Sequence, residues 1–284
     1  MASSPDTAEL DRQQLADLIV RRLESEHDRL RAEFATPGRI PSCIVDDLLP
    51  DPIARKIRAA FPDPARMTEL RSLREHKRIA AQMNLYHPLL EETVFAFQDP
   101  RVVRLCESIT GIRAMVPDEQ LYAGGISLMA QGDFLNPHLD NSHDNARERY
   151  RVLNLLYYVS PGWTLENGGN LELWDNGRQA PQRTLVSAFN RLALMITNRN
   201  SYHSVSKVQV PDQRCCVSNY YFSDAPVEDD AYFHVTSFSG RPDDSAAKTL
   251  VLRADRGLRG LLRRITRSRL LPTRHIYRKP PHEE

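Results

Sequence analysis

His138, Asp140 and His203 are the residues of this 284-residue chain whose types and spacing carry most chemistry. His138-Leu139-Asp140 sets two ligand-type side chains at i and i+2, the spacing that brings both to one face of a strand. A third ligand must come from a distant strand, and Tyr202-His203-Ser204-Val205 reads as one. Two neutral imidazoles and one carboxylate on one face of an octahedral ion suit non-haem Fe(II) and oxygen chemistry. Three positions of such an ion stay open, enough for a bidentate co-substrate and dioxygen. The same triad also suits a hydrolytic zinc ion. The plainer reading is a loop histidine and a turn-forming aspartate after Asn136-Pro137, with His203 a satisfied core histidine. His143 lies three residues past Asp140, where the i+2 partner is already supplied, and His234 reads as surface or substrate-facing.

The elements that must position this triad follow from hydrophobic patterning. Residues 8–34 read as an amphipathic helix, with Leu15, Leu18, Ile19 and Leu23 on one face and Pro37-Gly38 ending it. A short strand is expected from Ile44 to Leu49, and Asp51-Pro52 opens a helix running to about Phe61. Residues 65–118 are mixed and helical in tone, with a helix from Val102 to Thr110 between Pro100 and Gly111. From Tyr122 the texture changes to short strands separated by Gly, Asn and Pro clusters. Leu192, Leu194 and Ile196 alternate with Ala193, Met195 and Thr197. Gly168-Gly169 allows a tight, positive-φ entry into the strand Leu171–Trp174. The expected fold is mainly β with N-terminal helices, around a double-stranded β-helix (jelly-roll) core. Its parts are a helix over 1–38, a support region over 39–118, the core over 119–224 and an extension over 225–284.

The order of these features resembles the 2-oxoglutarate/Fe(II)-dependent dioxygenases, in their prolyl-4-hydroxylase-like branch. The residues that carry the resemblance are His138-x-Asp140, the strand Val152–Val159, Gly168-Gly169-Asn170-Leu171, His203, and Arg214 eleven residues beyond it. It covers residues 119–224 well, residues 40–118 loosely, and leaves the last sixty unexplained. It implies Fe(II) on His138, Asp140 and His203, with 2-oxoglutarate and O2 consumed and succinate and CO2 released. The C–H bond hydroxylated would belong to a prolyl residue, a free amino acid, a sugar or another biosynthetic intermediate. Asp140 itself favours hydroxylation over halogenation, since a halogenating relative would need that ligand position vacated for halide.

The resemblance assigns Arg214 to the far carboxylate of 2-oxoglutarate, and a guanidinium is a planar, two-pronged match that stays charged when buried. Where relatives often have Ser two residues later, this chain has Cys216. Prolyl hydroxylases usually carry a co-substrate Tyr nine residues before the first histidine; here that residue is Met129. Tyr158 is the nearest substitute, with Asn154 four residues back on the same strand face; the alternative role of both is barrel core. The polar loop Asn141–Arg149 is the best candidate for substrate contact or a lid. Trp163 and Trp174 read as core. A non-catalytic jelly-roll binding protein remains the other alternative, and the intact triad argues against it.

Composition excludes more than it selects. A net charge of +1 makes no case for nucleic acid, and no apolar run approaches the roughly 20 residues of a membrane span. Cys43, Cys106, Cys215 and Cys216 have no framework spacing and read as reduced thiols, which points to the cytoplasm. The N-terminus lacks the basic and apolar regions of a signal peptide. Residues 253–279 carry ten Arg or Lys against one acid, Asp255. Over Arg256–Leu271 they put Leu258, Leu261, Leu262 and Ile265 on one helical face. Packing of those leucines on the protein's own domain is the favoured reading, and docking to an anionic membrane surface or acidic partner the alternative.

Overall fold

Asp11 starts the first helix with a capping box: its carboxylate accepts from the Gln14 N–H at 2.8 Å, and the Gln14 side chain accepts from the Asp11 N–H. The computed structural model describes residues 10–122, 124–228, 231–241 and 276–279. Helix α1 (Arg12–Ser25) buries Leu15, Ile19 and Leu23 completely, each worth about 1.5–3 kcal/mol. The single helix expected over this stretch is two. Glu26 leaves the helical path, and α2 (His27–Phe34) continues with Leu30 and Phe34 inward. Strand β1 is Ser42–Val45, not Ile44–Leu49, because Asp47 turns the chain at φ 49° and Asn190 captures the backbone of Leu48 and Leu49. Helix α3 (Asp51–Ala59) follows as expected.

A hairpin then appears where the sequence looked helical: β2 (Thr68–Arg71) and β3 (Glu75–Ala80). Strand β2 is largely exposed and β3 half-buried, and both are rich in charge, so they show no apolar alternation. Helices α4 (Pro88–Ala96) and α5 (Pro100–Thr110) each open with Pro in the first turn. The remaining strands are β4 (Val116–Pro117), β5 (Gly125–Met129), β6 (Phe134–Leu139), β7 (Tyr150–Tyr158), β8 (Leu171–Leu173), β9 (Arg183–Leu185), β10 (Arg191–Ile196), β11 (His203–Val205), β12 (Arg214–Ser223) and β13 (Ser237–Phe238).

All pairings are antiparallel and run β1-β10-β7-β12-β5-β3-β6-β11-β8-β9, one curled sheet forming the double-stranded β-helix core. The half β10-β7-β12-β5 is backed by helices: Asn219 donates to the Val94 carbonyl, the Tyr221 hydroxyl to the Phe97 carbonyl, and Phe97 lies against Tyr157. The half β6-β11-β8-β9 faces it. Strand β3 joins the two, pairing with β5 through Arg78–Ala80 and with β6 through Glu75 and His76.

Gly168 and Gly169 both adopt positive φ, 69° and 63°. A Cβ on Gly168 would lie 2.0 Å from the backbone oxygen of Lys207, so the turn is closed to any side chain. Gly168→Ala is therefore expected to cost on the order of 2–4 kcal/mol, from left-handed strain plus a backbone clash. Urea unfolding would read this as a lower midpoint with an unchanged slope; an unchanged midpoint would show that the turn can move.

Among the described residues no helix is long and apolar enough to cross a membrane, and all four cysteines are free and buried. The basic helix expected over Arg256–Leu271 lies outside the described residues.

Candidate metal and co-substrate site

Strand pairing creates the cluster. His203 of β11 is the direct cross-strand partner of His138 of β6, with ring centroids 4.1 Å apart. Asp140, just past β6, brings Oδ1 to 3.5 Å from His138 Nε2 and Oδ2 to 3.7 Å from His203 Nε2. Ligand atoms from the three buried residues all lie within 4.8 Å of one another, which fits a single Fe(II) ion. The other ring nitrogens are engaged. His138 Nδ1 is 2.9 Å from the Asn136 carbonyl and His203 Nδ1 is 3.0 Å from the Ser201 carbonyl. A carbonyl can only accept, so each Nδ1 carries the proton and each Nε2 presents a lone pair to the cluster.

Burial would raise the Asp140 carboxyl, but His203, the His138 contact and Arg151 outweigh it and hold it well below the usual carboxylate range. Burial, helped by His138, pushes His203 down to about 4, with the Lys77 charge a smaller contributor. Both shifts give the forms a metal requires: a carboxylate and a neutral imidazole. Among the described residues Asp140 Oδ2 has no hydrogen-bond partner.

Arg214 opens β12 on the inner face, where it is 4% exposed. Its Nε lies 3.4 Å from Ser187 Oγ, one terminal nitrogen is 3.5 Å from Met129 Sδ, and its guanidinium stacks 4.7 Å from the Tyr158 ring centre. Among the described residues no carboxylate pairs with it. Among the described residues the buried Tyr158 hydroxyl and Asn154 Oδ1 have no hydrogen-bond partner. Burial pushes the Tyr158 phenol up to about 12, so it remains a donor at neutral pH. Every site residue expected from the sequence therefore lines or adjoins one pocket. Cys216 also lines it and makes only long sulfur contacts, the nearer 3.6 Å.

Two charged residues near the triad are not evident from the sequence. Lys77 reaches in from β3. Arg151 is 1% exposed, places a terminal nitrogen 3.7 Å from Asp140 Oδ2, and lies over the Tyr220 ring at 4.1 Å. Plain alternation from Asn154 would turn Arg151 outward. A bulge at Val152 prevents this, since Tyr221 pairs with Leu153 but Phe222 pairs with Arg151.

Beyond the ligands, His143 bridges to Tyr150 and contacts Ser142 at 2.8 Å, apart from the cluster. His234 comes from the segment that ends in β13, and both its ring nitrogens are buried without partners among the described residues. That segment closes one side of the site: Phe238 stacks on His138 at 5.0 Å, and Arg241 pairs with buried Glu172 at 2.6 Å. Trp163 and Trp174 are buried, each bonded through its indole N–H.

Asp118 lies within the field of Arg151, yet burial pushes its carboxyl up from 3.8 to about 6. A folded-state value above the unfolded one favours the protonated form on folding. Stability from this group is thus full below about pH 4 and is lost as pH rises through 6, up to about 3 kcal/mol. Asp118→Asn is expected to gain on the parent protein across that window. Equal pH dependence of the two in urea melts would refute it.

Residues 124–222 match the model of the 2OG-Fe(II) oxygenase superfamily. No curated protein matches the sequence. Similar solved structures include a prolyl-4-hydroxylase from Pseudomonas putida, at 14% identity and TM-score 0.48 over 74% of this chain and 98% of that one. Another is HygX from Streptomyces hygroscopicus with nickel, 2-oxoglutarate and hygromycin B bound, at 11% identity and TM-score 0.47, covering 70% and 86%. A third is SnoN, a non-haem α-ketoglutarate-dependent epimerase from nogalamycin biosynthesis, at 14% identity and TM-score 0.49, covering 79% and 89%. The matched stretch 124–222 spans the strands bearing His138, His203 and Arg214, and over that stretch the chain is similar to the 2OG-Fe(II) oxygenase superfamily.

Proposed function

We propose that His138, Asp140 and His203 hold one Fe(II), that Arg214 seats 2-oxoglutarate with Tyr158 and Asn154, and that the reaction is hydroxylation of an unactivated C–H bond. The observation that carries this reading is Arg214. A guanidinium 4% exposed with no carboxylate partner among the described residues is costly unless an anion joins it. A dicarboxylate whose other end chelates the metal supplies that anion. A hydrolytic zinc site would leave Arg214 without a role.

The bound iron would supply activation of dioxygen coupled to decarboxylation of 2-oxoglutarate. The chain's own residues do the rest. The Asn136 and Ser201 carbonyls fix the imidazoles, Tyr158 donates toward the co-substrate beside Arg214, and Phe238 shields His138 from water. Substrate enters past the Asn141–Arg149 loop and His234, so it is a small molecule or a peptide segment. The test is anaerobically purified, Fe(II)-loaded protein given 2-oxoglutarate and oxygen, with succinate measured against panels of prolyl peptides, amino acids and sugars. Succinate release coupled to one panel member, with a mass gain of one oxygen atom in it, is expected. A substrate that is hydrolysed without succinate formation would overturn the reading.

A further inference from the structure

Met129 faces Arg214 across the β12–β5 ladder and offers no hydrogen-bond donor to the pocket. The next strand supplies one. Arg78 of β3 pairs with Leu128 of β5, so Lys77, one residue further, falls beside Met129. Ile79, two residues from Lys77 and paired with Ser127, also lines the pocket, so Lys77 and Ile79 share the inner face of β3. Lys77 is where β3 leaves β5 and turns to β6, which it meets through His76 and Glu75. Lys77 thus sits between the strand bearing Met129 and the strand bearing His138, and it lines the same pocket as all three members of the triad. Arg214 is two strands away, roughly 10 Å by the spacing of neighbouring strands, on the far side of Met129.

The surroundings hold this ammonium without using it up. Glu75 pairs with it at 3.2 Å, and the Lys77 side chain is 24% exposed. An ammonium has three N–H donors, and among the described residues one carboxylate contact engages it. The charges within the pocket also leave room for it. A dicarboxylate chelating through its keto-acid end puts one carboxylate at Arg214 and the other near the triad, where Asp140 already contributes negative charge. A cation at that near end adds its attraction for this carboxylate to that of the metal.

We propose that the Lys77 ammonium binds the carboxylate of 2-oxoglutarate that adjoins its keto carbon, as the near-end counterpart of Arg214. This rests on the proposed function, since it needs 2-oxoglutarate in the pocket. Glu75 is then a positioning residue that aims Lys77.

The test is calorimetric binding of two keto acids to the full-length, Fe(II)-loaded protein without oxygen: 2-oxoglutarate, and 2-oxobutyrate, which keeps the keto-acid end and lacks the far carboxylate. Lys77→Met is expected to weaken both by the same factor, about tenfold or more, with Fe(II) affinity and melting temperature unchanged. Glu75→Gln/Lys77→Met should show the same loss, which separates the missing ammonium from an unpaired glutamate. Arg214→Ala should weaken 2-oxoglutarate alone. Unchanged affinities in Lys77→Met beside a normal parent protein would overturn the proposal, as would a loss confined to 2-oxoglutarate, which would place Lys77 at the far end. A parent protein that binds Fe(II) and neither keto acid would overturn the proposed function, and this inference with it.

Discussion

Replacing His138 or His203 by Ala is expected to abolish both iron retention and succinate formation while leaving the fold intact. Each imidazole is tied to the protein by one ring-to-carbonyl contact, so its loss costs the apoprotein little. Its loss to the metal is far greater. Without His203 the ion would keep only the neighbouring pair His138 and Asp140; without His138 it would keep Asp140, just past β6, and His203 of β11. Two donors hold a divalent iron weakly against buffer and water. Metal content after desalting, measured beside the melting curve, checks both halves of the expectation. A variant that keeps iron and turnover would remove that histidine from the site.

Arg214→Ala is expected to raise the 2-oxoglutarate requirement roughly 30-fold or more while iron binding persists. The lost contact is a charge-assisted, two-pronged one in a buried pocket, on the order of 2–4 kcal/mol. Removing the arginine also relieves the cost of burying it unpaired. The variant should therefore fold as stably as the parent, or more so, when co-substrate is absent. Turnover measured as a function of 2-oxoglutarate decides it. An unchanged dependence would pass the task to another cation, although Arg191 is engaged with Asp46 and Arg199 with Glu228 on the outside of the barrel.

Much of this site could be read from the chain because its signals are local. The i, i+2 pair His138/Asp140 needs only a strand, Gly168-Gly169 needs only a tight turn, and the alternation in β10 needs only one buried face. The rest depends on non-local facts. Arg151 turns inward because of one bulged residue, Val152, and alternation read from the sequence puts it on the wrong side. Lys77 is hidden in the sequence because β3 is half-buried at the junction of the two sheet halves and its partner β2 is largely exposed. Their alternation is masked by residues such as Glu69, Glu75, His76 and Arg78, which pair with one another or with Asp133. The break at Glu26 has no Gly or Pro to announce it.

The carbonyls of Asn136 and Ser201 also bear on which metal the protein takes. They set both imidazoles before any ion arrives, so the apoprotein presents a finished set of donors to every divalent cation alike. A finished set of two imidazoles and one carboxylate ranks those cations by intrinsic affinity, and in that ranking Fe(II) falls below cobalt, nickel, copper and zinc. The selection of iron must then come from supply, from whichever ion is abundant and exchangeable when the chain folds. Purified protein would accordingly be expected to carry zinc or nickel acquired during handling, and to recover activity when that metal is stripped and Fe(II) restored.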